Sequence, residues 1–214
     1  MPDADTLHSS LATLAASHRI VAQVWHLALF FAAIAWLGGW RPRPAVALAL
    51  IALPFASAGL LALADGPWFN GMVMSALAAV CVGLSAAHRE DNGHRRTRTA
   101  LRPVAILMLA FAWGYPHFAP TPWFPAALYS SPIGVLPCPT LALAIGAGLL
   151  TGGFGSRAAT TVFVALGLFY GAVGVLVLGV AIDGVLLAGA LALAGQDWLQ
   201  HRSLRRHPEH RGPG

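Results

Sequence analysis

Residues 45–64 read A-V-A-L-A-L-I-A-L-P-F-A-S-A-G-L-L-A-L-A, an unbroken apolar run with no charged position. A hydrocarbon core about 30 Å thick takes roughly 20 helical residues to cross, so this run reads as a membrane span. Six other segments come near that length: Ile20–Leu37, Trp68–Ala86, Arg102–Phe118, Pro139–Gly153, Ala158–Gly179 and Ile182–Leu199. The expectation is an all-α polytopic bundle of seven spans over residues 20–199. Six spans remain open, because the Gly-rich fifth segment is short enough to be re-entrant and only a tight connection around Asp183-Gly184 separates the last two.

Composition agrees. Of the 214 residues 57% are hydrophobic and 10% charged, where a soluble domain carries about 25% charged residues; the mean hydropathy is +0.67. The first 18 residues hold Asp3 and Asp5 but no basic residue, unlike a secretory leader, so the first run is expected to be retained. The formal charge of +5 lies between and after the apolar runs rather than on one face, which points to topology and away from nucleic acid. The lipid bilayer is the expected partner.

Basic loops resist translocation. With the N-terminus outside, Arg41, Arg43, Arg89, Arg95, Arg96, Arg98, Arg102, Arg157, Arg202, Arg205, Arg206 and Arg211 all fall at the cytoplasmic side, and only Arg19 lies outside, with Asp3, Asp5, Asp65 and Asp183. The C-terminus is then cytoplasmic, and the membrane is the bacterial inner one. Residues 1–19 form an external segment in which Leu7, Leu11 and Leu14 share a helical face, open to an interfacial helix or to disorder. Residues 200–214 are expected to be a disordered tail. Gly148 with Gly152, and Gly167 with Gly171, have the four-residue spacing that lets helices approach. Pro54 is expected to kink the second span.

Residues 115–139 break the pattern with seven prolines: Pro116, Pro120, Pro122, Pro125, Pro132, Pro137 and Pro139. Such a segment must face water or be buried in protein, and the arginines place it outside, as a stiff uncharged lid or binding surface. Within it Cys138 sits where Pro139 favours a helix start, which would stabilise a thiolate. Cys138 and His117 are therefore candidate metal ligands, for haem or copper. The alternatives are a rigid helix-opening cap around a buried thiol, with no cofactor, or a thiol used in redox chemistry or lipid attachment. His26 and Asn70, with Tyr115, are candidates to line a cavity. Asp65 and Asp183 read as turn residues. No Walker loop, dinucleotide fingerprint, zincin motif or nucleophile elbow is present, which disfavours enzymes built on such machinery.

Tyr115-Pro116, then Pro132, Gly134 and Pro137-Cys138-Pro139-Thr140, then Gly146 in an apolar helix, resemble a family of bacterial multi-pass membrane proteins catalogued as domain of unknown function 6064. The resemblance is specific over about 30 residues around this segment, and implies a membrane protein with a focal loop but no particular reaction. The family's Tyr-His pair and Asn-Pro step are missing from D-G-P-W-F-N-G at 65–71, where only Asn70 compares, and its loop Gly-His is replaced by Leu128-Tyr129-Ser130-Ser131. The functional expectation is a permease-like or scaffolding bundle, with a small-solute transporter and a redox or haem- and metal-handling protein as alternatives.

Overall fold

In the computed structural model of the chain, residues 4–87, 101–118, 129 and 131–206 are described. Arg89, Arg95, Arg96, Arg98, the prolines at 120, 122 and 125, and the tail from His207 onward lie outside them. Every regular element among the described residues is helical. An amphipathic helix α1 (Ala4–Ser17) precedes α2 (Arg19–Leu37), α3 (Pro44–Asp65), α4 (Trp68–Ala86), α5 (Arg102–Trp113), α6 (Pro137–Thr151), α7 (Arg157–Leu176) and α8 (Gly184–Arg206).

Five of these, α2, α3, α4, α7 and α8 with the turn before it, are long and apolar enough to cross a membrane. This is the build of a multi-pass membrane protein. The other two apolar helices are short: α5 ends five residues before its sequence segment does, and α6 keeps the expected length but begins and ends two residues earlier. Helix α5 has 12 residues and α6 has 15, which at 1.5 Å per residue span about 18 and 22 Å. Helix α5 stops at Trp113 because Gly114 caps it and Pro116 follows; the run to Phe118 is apolar but not helical.

Helix α6 tolerates its length because protein covers it. Leu141, Ala142, Ala144, Ile145 and Leu149 are fully buried, and α3, α5, α7 and α8 all touch it. Small residues make that approach possible. Gly167 of α7 faces Ile145 and Ala190, and Gly171 faces Leu187 of α8, so this pair packs the bundle internally. Gly152 has a different task from the one its spacing suggests: it caps α6 in the left-handed conformation, φ 70°. Helix α3 runs continuously through Pro54, whose ring is buried.

Helix α1 is ordered by its leucines. Leu11, Leu14 and Ala15 pack with Ala22, Ala62, Val135 and Leu136 in a small cluster of their own. Asp65, at the end of α3, is hydrogen-bonded to His18 at 3.0 Å, so it is an anchor between α1 and α3 as well as a turn residue. Helix α8 continues to Arg206, where the sequence reading ended it at Leu199.

Candidate functional site

Most of the polar side chains in this bundle are spent on packing. The described end of the Pro-rich segment folds inward: residues 131–137 are buried as a tight turn leading into α6. Gly134 holds φ +71° and lies against the Trp25 ring, leaving no room for a Cβ. Trp25 Nε1 donates to Ser57 Oγ at 3.1 Å, and Ser57 Oγ donates to the Gly134 carbonyl at 2.7 Å. Thr140 Oγ1 accepts from the Gly134 amide at 2.9 Å and donates to the Leu136 carbonyl at 2.7 Å. Ser131 Oγ donates to the Ala112 carbonyl. This part of the segment is a plug that pins α2, α3, α5 and α6 together, not a surface.

The plug delivers Cys138 to the centre of the site. Pro137 opens α6 after the extended Leu136, two residues before the start that the sequence suggests, and Cys138 and Pro139 both occupy its first turn. Tyr115 arrives from the other side, just past α5, with its ring edge-on to Phe111 at 5.3 Å. Between them stands Asp183. It ends the 3-10 turn Ala181–Asp183 that starts the last apolar segment, and is 1% exposed. The position is buried because Gly174 of α7 lies against it; a Cβ there would overlap the carboxylate.

The Tyr115 hydroxyl donates to Asp183 Oδ1 at 2.9 Å, and the Cys138 thiol lies 3.4 Å from Oδ2 as the second donor. Asp183 therefore departs from its reading as a hydrated turn residue. A carboxyl that is 1% exposed is costly unless its oxygens find hydrogen-bond partners; here two side-chain donors, one on each oxygen, offset part of that cost. A carboxyl held between a phenol and a thiol can gain or lose a proton while its neighbours rotate to follow. Its burial was missed because Asp183 sits beside a glycine in a short connection, the usual setting of a solvated turn. The available signal was that both flanking runs are apolar, so water has little access.

The other candidates are placed elsewhere. His117 pairs with His8 of α1, Nε2 to Nε2 at 3.1 Å, and packs against Phe118 at 4.3 Å. Burial, and then the neighbouring His8, hold its pKa below the ordinary histidine value. Cys138 and His117 thus have different partners, and among the described residues no three His, Cys, Asp or Glu side chains converge as a metal site. His26, 5% exposed, has its ring nitrogens 2.8 Å from the Ala22 carbonyl and 3.1 Å from that of Trp113, tying α2 to α5. Asn70 Oδ1 accepts from the Tyr170 hydroxyl at 3.1 Å, tying α4 to α7. Neither of the two described hollows is lined by His26, Asn70 or Tyr115. Pro116 is exposed between Tyr115 and His117.

No family model, curated protein or solved structure matches the chain.

Proposed function

We propose that the chain is a permease-like bundle of the bacterial cytoplasmic membrane, with Asp183 as a proton-handling centre for a small solute. In this reading seven helices occupy the membrane region, the N-terminus is outside and the C-terminus inside, and the chain belongs to the family that its Pro-Cys-Pro segment resembles. The observation that carries it is the buried Asp183 carboxyl with Tyr115 and Cys138 as its donors. The topology draws support from how polar contacts sort the helix ends. His18 with Asp65 marks one end of the bundle; Ser85 with the Ala45 carbonyl and Arg157 with Asp197 mark the other. Helices that alternate in this way put the described arginines, except Arg19, at one end.

The test needs no knowledge of the solute. Purified protein in liposomes carries an entrapped pH dye, and a potassium diffusion potential drives proton uptake. Wild-type vesicles should take up protons faster than protein-free ones, and Asp183→Asn should fall to the protein-free rate. Equal rates for wild type and Asp183→Asn would remove the proposal.

A further inference from the structure

At the opposite end of the bundle from Asp183, a groove of about 580 Å³ is lined by α7 and α8. Its mouth holds Arg157, Trp198, His201 and Arg202, and its floor runs along Val164, Ala165 and Leu168. Asp197 is the acid in this mouth; it lies 3.8 Å from Arg157 Nε and 3.5 Å from His201 Nδ1. The guanidinium of Arg202 lies 3.7 Å over the Trp198 ring. A guanidinium on a ring face keeps its in-plane N–H donors for another partner. The two arginines exceed the single carboxylate, so the mouth is cationic, while the floor is aliphatic.

The dimensions identify what would fit. From Arg157 to Leu168 the helix descends about 16 Å, close to half of a hydrocarbon core of about 30 Å. A cationic mouth with a tryptophan at the interface, above an apolar channel one leaflet deep, matches a headgroup and its acyl chain better than a soluble anion. We infer that the groove between α7 and α8 binds one anionic glycerophospholipid, its phosphate between Arg157 and Arg202 and an acyl chain over Ala165 and Leu168. This site is separate from Asp183 and depends only on the chain being a membrane protein.

The full chain, purified in detergent, would be titrated with phosphatidylglycerol, with phosphatidylcholine of the same acyl chains, and with inorganic phosphate, and bound lipid counted by native mass spectrometry. Phosphatidylglycerol should be retained in preference to phosphatidylcholine. Retention should weaken about fivefold for each arginine replaced in Arg157→Gln and Arg202→Gln, and remain unchanged in Arg41→Gln. Ala165→Trp, which fills the exposed channel and keeps every charge, should also expel the lipid; it decides the matter if the arginine variants do not fold. Equal retention of the two lipids, equal loss in Arg41→Gln, displacement by inorganic phosphate at matched concentration, or normal retention in Ala165→Trp would each overturn the inference.

Discussion

Removing the Tyr115 hydroxyl leaves the Asp183 carboxyl, which is 1% exposed, with Cys138 as its remaining side-chain donor. Tyr115→Phe keeps the ring on Phe111 and deletes only that bond. It should lower stability by about 1–3 kcal/mol, the cost of leaving a buried polar group short of a partner. Thermal unfolding in detergent measures this, and Asp183→Asn should recover part of the loss, because a neutral amide needs its donors less. If Tyr115→Phe is as stable as wild type, the hydroxyl bond is not part of the folded state. Gly174 belongs to the same unit, since only a residue without a side chain lets α7 close over the carboxylate.

Helix α1 is attached by a different mixture of forces. Leu11 and Leu14 supply burial, and the His8–His117 pair makes the attachment sensitive to acid. The folded pKa of His117 is lowered, so docking favours its neutral ring. That contribution is fully present above the ordinary histidine value near 6.5 and is lost as pH falls through the lower folded value. Hydrogen exchange in α1 should therefore accelerate on acidification, and His117→Gln should flatten the change. An unaltered pH dependence in that variant would assign the effect elsewhere. Periodicity made the apolar face of this segment legible but left helix and disorder both open, and it gave no partner, since contacts at long sequence separation leave no local trace. The same divide runs through the site: the Pro-Cys-Pro turn and Tyr115 stood out by composition, whereas Asp183 owes its burial to Gly174, which no local pattern connects with it. The α6 segment was legible as short and Gly-rich; the burial of most of its residues depends on four other helices.

For the whole molecule, the proposed orientation assigns the residues around Gly39 to the cytoplasm and those around Gly66 to the outside. In a chain with Cys81 and Cys138 replaced by Ser, a cysteine at the nearby exposed Trp68 should react with a membrane-impermeant maleimide in intact cells, and one at the exposed Trp40 only after lysis. The reverse pattern would invert the topology. The enclosure of α6 also bears on how the bundle is made. A segment of 15 residues is a poor independent stop in a bilayer, and two of the helices that shelter it, α7 and α8, emerge later in synthesis. In the proposed seven-helix arrangement the nascent chain would therefore carry its eventual centre uncommitted until its last third has been translated. A truncation beyond Thr151 would strand that centre in lipid and hand the chain to membrane quality control.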